Sequence, residues 1–150
     1  MNRYFYKIAT AMMLVFAMAF TASAAQHEDQ DRKGKHIHTS TVDDHEMAYY
    51  LIDMGDMGAG MEGHEGQGEQ AATHHLMVYI ADPAGNLITG AKTGFLIQGP
   101  EGEKQKTMAM GMSGGYGADI ALGAPGDYTI KTKAKTEDKT LIDSFSYSGE

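Results

Sequence analysis

Sulfur-bearing and imidazole side chains are concentrated in one glycine-rich stretch of the sequence, residues 54–73. Met54, Met57 and Met61 lie there together with His64, on a backbone interrupted by repeated glycines. Thioether sulfur is a soft ligand that suits Cu(I) better than zinc, calcium or iron. Methionine is normally apolar core filler, so its recurrence in a polar loop is unusual. The stretch therefore predicts a copper-binding loop, and the alternative is a plain glycine-rich surface loop.

A histidine pair, His74 and His75, follows this loop at the expected start of a strand. Side chains on a strand repeat every second residue, so Met77 shares the face of His75. A His-x-Met pair can then present two copper ligands in one direction. The alternative is that both histidines are simply solvated at a strand entrance.

A third group of methionines alternates along one predicted strand, where Met108, Met110 and Met112 share a face. Such a stripe is either sandwich core or a ladder of thioethers. Core is favoured for Met108, because methionine packs well against irregular neighbours. Met110 and Met112 lie nearer the Gly114-Gly115 turn and are favoured as ligands. The predicted metal ligands are Met54, Met57, Met61, His64, His74, His75, Met77, Met110 and Met112.

Other chemistries lack a motif in this sequence. It has no cysteine, which excludes a blue-copper centre with a cysteine ligand. It also lacks a nucleophile elbow, a zinc-protease helix and a phosphate-binding loop, so we expect binding and no enzyme activity. His36 and His38, two residues apart, could add a weak site for Cu(II).

The N-terminus has the pattern of an export signal. Arg3 and Lys7 precede an apolar run over residues 8–20, and Ala22-Ser23-Ala24 suits cleavage before Ala25. The run is shorter than the roughly 20 residues that a membrane-spanning helix needs. We therefore expect a signal peptide at residues 1–24, a periplasmic or secreted protein, and no membrane insertion after cleavage.

Net charge limits the possible binding partners, and length limits the number of domains. The chain has 12 basic and 20 acidic residues, and loss of the leader brings the net charge to about −10. Such a surface repels nucleic acid and attracts cations. About 125 remaining residues predict one domain. We expect a flexible arm at residues 25–40 and the domain at residues 41–150.

Turn-forming residues and alternation predict an all-β domain. All three prolines lie in turns, and Asp127–Lys135 alternates small or apolar residues with threonine and lysine, as a half-buried strand does. About seven strands predict a β-sandwich, most often Ig-like, although periodicity does not distinguish other Greek-key topologies or a small barrel. The first segment is also compatible with a short helical turn. The predicted strands are 41–53, His75–Asp82, Ala91–Gln98, Lys104–Met112, Tyr116–Leu122, Asp127–Lys135 and Thr140–Tyr147.

A family resemblance rests on three short motifs. His74-His-Leu-Met-Val-Tyr-Ile-Ala-Asp-Pro-Ala-Gly85, then Thr107-Met-Ala-Met110 and Gly114-Gly-Tyr-Gly117, resemble the YtkA-like domain family of small exported proteins, over residues 42–147. The resemblance implies an Ig-like β-sandwich in the periplasm or on the cell surface, in a family whose relatives are often linked to copper handling. The chain is also similar in architecture to cupredoxin-shaped copper carriers.

Together these observations predict a periplasmic protein that captures or delivers Cu(I), with an extracytoplasmic protein as the recipient. The alternative is a metal-independent Ig-like interaction module that docks a partner by strand addition.

Overall fold

The computed structural model describes residues 32–55 and 71–149. These residues form β-strands, turns and loops, and no helix in the two ranges is long and apolar enough to cross a membrane. The all-β prediction is confirmed, with nine strands described in place of the expected seven or so. The strands are β1 (Lys35–Val42), β2 (His45–Asp53), β3 (His74–Ala81), β4 (Lys92–Gln98), β5 (Lys104–Met108), β6 (Met110–Met112), β7 (Gly115–Ile120), β8 (Gly126–Lys135) and β9 (Thr140–Gly149).

The strands form two antiparallel sheets, which confirms the predicted β-sandwich. The five-stranded sheet has the order β1-β2-β3-β7-β6, and the four-stranded sheet has the order β5-β4-β8-β9. Strands β3 and β7 are neighbours although β4, β5 and β6 lie between them in sequence. This long-range pairing brings the histidine pair of β3 beside the glycine-rich β7.

The core lies between the two sheets, and alternation of buried and exposed residues is clearest in the four-stranded sheet. In β8 every second residue is buried, while the intervening threonine and lysines are exposed. An antiparallel sheet with one solvated face produces this pattern. The largest fully buried side chains come from both sheets: Tyr49, Tyr116, Phe95, Met47, Leu76, Ile80, Ile97, Ile120, Ile130, Leu141 and Val78.

The N-terminal edge of the sandwich begins earlier than the sequence predicted. Residues 35–40, assigned to a flexible arm, belong to β1, which pairs with β2 from Lys35↔Leu51 to Val42↔His45. Edge strands can be polar, because they are held by backbone pairing more than by burial. Two side chains also tie β1 to β9: Ser40 Oγ donates to Asp143 at 2.6 Å, and the His38 ring stacks on Phe145.

The prediction of one strand over Lys104–Met112 is wrong. The chain changes sheets at Ala109, whose side chain packs against the core and whose N–H donates to the Thr93 carbonyl at 2.9 Å. Met108 therefore ends β5 on the outside of the four-stranded sheet, where it is 63% exposed. The predicted core position of Met108 is also wrong, because period-2 alternation does not reveal which sheet a residue belongs to.

Candidate functional site

Strand β7 presents two glycines on the outer face of the five-stranded sheet. Gly115 and Gly117 face outward, and Asp119 follows on the same side, while the residues between them point into the core. Strands β3 and β6 flank β7 on either side. We call the outward surface over Gly115 and Gly117 the glycine trough.

Two donor atoms from β3 reach over the trough. In the sheet register His75 lies opposite Asp119, and Met77 lies opposite Gly117. A Cβ placed on Gly117 would collide with both His75 Nε2 and Met77 Sδ. These two atoms therefore share the small space that the missing side chain leaves, and only glycine at position 117 allows it.

His75 is oriented by Asp119. The two atoms His75 Nδ1 and Asp119 Oδ1 lie 2.6 Å apart, and the His75 side chain is 14% exposed. Because a carboxylate only accepts hydrogen bonds, Nδ1 carries the proton, and neutral imidazole then has its lone pair on Nε2. That Nε2 atom is buried and has no hydrogen-bond partner among the described residues. A carboxylate that fixes the tautomer and orientation of a histidine is the usual arrangement behind a metal ligand.

Two more thioethers lie on the far side of the trough. Met110 pairs with Gly117, and Met112 pairs with Gly115. Directly paired residues project from the same face, with Cβ atoms about 4.5–5.5 Å apart. Met110 is 65% exposed and Met112 is 38% exposed, while the Tyr79 ring occupies the space over Gly115. Met77 and Met110 thus stand on opposite sides of one glycine.

An aromatic cluster shields the β3 side of the trough from water. Met77 packs with Tyr50 and Tyr79 on the outer face, and the two tyrosine rings meet edge to face with centroids 5.7 Å apart. The Arg32 guanidinium lies 4.9 Å from the Tyr79 ring centroid. Apolar surroundings of this kind limit solvent access to a metal site and tune its affinity.

The structure places the other predicted ligands differently. His74 alternates to the opposite side of β3 from His75, and its Nδ1 lies 2.7 Å from Thr73 Oγ1. Met54 is half-buried just beyond β2, and its N–H donates to the Thr73 carbonyl at 3.0 Å. Neither belongs to the group over Gly117. The remaining predicted ligands lie outside the described residues: Met57, Met61 and His64.

The His36 and His38 pair does not converge either. The pairing of β1 with β2 shifts between these two residues, which breaks the rule that residues two apart share a face. The His36 ring meets Tyr50 edge to face at 5.2 Å, whereas His38 stacks on Phe145 at 4.1 Å. Tyr50 belongs to the outer aromatic cluster and Phe145 to the core, so the two imidazoles lie on opposite faces.

Ligand sets of other kinds are not found in the described ranges. Over residues 32–55 and 71–149, no three histidine, aspartate, glutamate or cysteine side chains converge on one point. A cavity of about 750 Å³ has Glu101, Glu103 and Tyr128 in its wall. It includes none of the predicted copper ligands. The side chains over Gly117, His75 and Met77, form a different kind of ligand set, because they offer an imidazole nitrogen and a thioether sulfur.

The sequence did not reveal two residues that this site depends on, Gly117 and Asp119. Both lie on β7, and their role becomes visible only through the pairing of β7 with β3. The one available signal was the alternation of Gly115, Gly117 and Asp119, which places two glycines and a carboxylate on one face of a strand.

Comparison with known proteins gives little similarity. No protein-family model matches the chain. No curated protein matches it either. A solved structure entitled "Crystal structure of Br derivative BhCBM56" has 12% sequence identity and a TM-score of 0.44, over 77% of this chain and 100% of that chain.

Proposed function

We propose that this protein binds copper as Cu(I) in the glycine trough and captures or delivers the ion outside the cytoplasm. One observation carries the proposal. The buried Nε2 of His75 has no partner among the described residues and lies beside Met77 Sδ, over a glycine where any side chain would fill the space. A buried acceptor left without a partner costs free energy. A bound metal ion would supply that partner.

The donor set fits Cu(I) better than other common ions. His75 and Met77 offer one imidazole nitrogen and one thioether from β3, and Met110 offers a second thioether across Gly117. Soft, neutral donors of this kind favour Cu(I), whereas calcium and magnesium require oxygen ligands. Asp119 would balance the positive charge of the ion through the His75 ring.

Exposure of the trough on one side supports transfer as well as binding. Met110 lies on the edge strand β6 and is largely exposed, so a partner protein can approach the ion from that side. The methionine-rich segment over residues 54–73 joins the ends of β2 and β3 beside His75.

Export is part of the proposal. The charged and apolar leader with its Ala22-Ser23-Ala24 cleavage pattern supports a periplasmic or secreted location. The resemblance to YtkA-like domain proteins, through the motifs around His74, Met110 and Gly114, points the same way. We expect the recipient of the ion to be another extracytoplasmic protein.

Competition titration against a Cu(I) chelator without oxygen tests the site. Met77→Leu removes one sulfur at nearly constant volume, and Met108→Leu is its matched control on the other sheet. We expect Met77→Leu to weaken Cu(I) binding about 10- to 100-fold, the range known for disturbed metal sites. Met108→Leu should bind like the wild type.

Two further variants define the contributions. His75→Gln should weaken binding at least as much as Met77→Leu. A variant with leucine at positions 54, 57 and 61 measures what the loop adds. If His75→Gln and Met77→Leu both bind Cu(I) as tightly as Met108→Leu does, the trough is not the copper site.

A further inference from the structure

The outer face of the four-stranded sheet carries a dense group of lysines. They occupy alternate positions of β4, β5 and β8, so all point away from the core. No arginine lies on these strands, and the one outward carboxylate of the sheet, Asp127, lies at its end and accepts a hydrogen bond from Ser148. We call this surface the lysine face: Lys92, Lys104, Lys106, Lys131, Lys133 and Lys135.

The lysine face is flat and regularly spaced. Lys106 and Lys131 flank Leu96 in one row across the sheet, and Lys92 lies directly opposite Lys135. Rows of this kind repeat about every 7 Å along the strands, and neighbouring strands are about 4.8 Å apart. Between the lysines lie exposed apolar side chains, among them Ile142, which is 52% exposed.

This concentration of positive charge is unexpected for the chain as a whole. The protein has a formal net charge of −8 with 12 basic residues in all, yet six lysines share this one face. None of the six forms an ion pair with a described carboxylate. The chain therefore separates its charges and leaves the lysines to repel one another.

General reasons for surface lysines explain only part of this arrangement. Lysine on an edge strand discourages aggregation, which accounts for Lys104 and Lys106 on β5. It does not account for Lys92 on β4 or Lys131 and Lys133 on β8, because β4 and β8 are interior strands. A surface that serves only solubility intersperses both signs of charge. The lysine face has one sign.

We propose that the lysine face docks on a membrane surface rich in anionic phospholipid. Lysine is a hydrated point charge without the planar fork with which arginine recognises a fixed phosphate or carboxylate. A flat set of lysines without a cavity therefore suits headgroups that move laterally to meet each charge, and each lysine near such a surface adds attraction. The exposed apolar side chains between the lysines can rest among the headgroups.

Docking in this way leaves the copper site accessible. The lysine face and the glycine trough lie on the outer faces of the two packed sheets, which point in opposite directions. A protein held by its lysine face would present the trough to the solution. The inference goes beyond the proposed copper function and does not depend on it.

Sedimentation with lipid vesicles tests the proposal. Wild type, a face variant (Lys106→Gln, Lys131→Gln, Lys133→Gln) and a control (Lys33→Gln, Lys35→Gln, Lys139→Gln) are purified from one host and shown by mass spectrometry to share one N-terminus. The two variants lose the same charge. We expect wild type to bind vesicles with about 30% phosphatidylglycerol and not phosphatidylcholine alone, with binding lost at about 0.5 M salt.

The two variants give the decisive comparison. Partitioning of the face variant should fall at least about tenfold, while the control stays within about twofold of wild type. Thermal unfolding checks that both variants fold, and the single substitutions Lys106→Gln and Lys133→Gln replace the face variant if it does not. Cu(I) affinity should be the same in all of them, so this proposal and the copper proposal fail separately.

Three outcomes would overturn the assignment. Equal loss of vesicle binding in the face variant and the control would show that binding depends on net charge alone. Binding to pure phosphatidylcholine would show apolar insertion. Failure to bind anionic vesicles, together with retention on a polyglutamate resin that the face variant loses, would show that the occupant is an acidic polymer and not a membrane.

Discussion

The two outer faces of the sandwich follow the same strand periodicity and carry opposite chemistry. On the five-stranded sheet, Tyr50, Met77 and Tyr79 are buried against one another beside His75. On the four-stranded sheet the equivalent outward positions of β8 are exposed lysines. Both inner faces are apolar, as a sandwich requires. The sandwich can fold without apolar outer faces. We therefore attribute the difference between the two outer faces to what each face contacts.

A pair of glycine substitutions gives the sharpest test of this difference. In Gly117→Ala the new methyl group collides with His75 Nε2 and Met77 Sδ. Overpacking of this kind costs about 1–3 kcal/mol, and we expect Cu(I) binding to be lost. Urea unfolding and Cu(I) titration measure the two effects.

The control for Gly117→Ala lies on the opposite face. Gly94 faces outward beside Met108, and an added Cβ would lie 3.1 Å from the flexible Met108 Sδ and 3.3 Å from the Thr107 carbonyl oxygen, both longer than the contacts at Gly117. Gly94→Ala should cost less stability and leave Cu(I) binding unchanged. Gly111→Ala, with nothing within 4 Å of the new methyl, sets the baseline. Normal copper binding by Gly117→Ala would remove the distinction between the faces.

A pair of carboxylate substitutions separates orientation from charge. Asp119→Asn keeps the shape of the side chain but lets an amide donate to His75 Nδ1, which moves the ring proton to Nε2 and blocks the donor atom. We expect Cu(I) affinity to fall about 10- to 100-fold. Asp127→Asn makes the same change in charge on the lysine face. If chelator competition showed that Asp119→Asn and Asp127→Asn lose Cu(I) affinity equally, Asp119 would act only through its long-range charge.

A charge reversal on the lysine face should increase stability. Lys92 and Lys135 are direct cross-strand partners and both are exposed, and like charges in that position are destabilising. Lys92→Glu should therefore raise the free energy of unfolding by about 0.2–1 kcal/mol. Lys104→Glu, opposite Gln98, should gain less. The gain should shrink in about 0.5 M salt, and a loss of stability would show that the lysines are held by contacts of their own.

The smallest effect is expected in a turn outside both faces. Asn86 donates hydrogen bonds to the exposed Asp82 carboxylate from its side chain and from its backbone N–H. These bonds, the side-chain one most, hold the pKa of Asp82 below its ordinary value of 3.8. The stability that this ion contributes is present above pH 3.8 and is lost as the pH falls through the lowered pKa. Asp82→Asn should therefore have a slightly lower free energy of unfolding in urea than wild type near neutral pH. The two proteins should be equally stable in strong acid.

Alternation predicted most strands but not the edge strands β1 and β6. Burial of every second residue makes β4, β8 and β9 recognisable in the sequence. Strand β3 is instead buried at every position from Leu76 to Ala81, which is a continuous apolar run. Strand β1 is polar and half-exposed, so it has no apolar period to detect. At Ala109 the alternation of methionines continues without interruption while the chain moves from one sheet to the other. Which sheet a strand joins depends on pairings that periodicity does not encode.

The candidate site could be predicted only within one strand. Strand periodicity places His75 and Met77 on one face, and the structure has them there, whereas the adjacent His74 points to the other side. Asp119 lies 44 residues from His75 in sequence, and its contact depends on the order of the strands. The bulge between His36 and His38 is likewise a property of pairing and not of local sequence.

The short strand β6 has a consequence for how fast an ion could leave. It has three residues, lies at the sheet edge and carries the exposed Met110, whereas β3, with His75 and Met77, is paired on both sides. Short edge strands open most readily in native-state fluctuations. Of the three residues that would hold Cu(I) under the proposed function, Met110 would therefore be the one most easily exchanged for a ligand of a recipient protein, while His75 and Met77 would stay in place on β3.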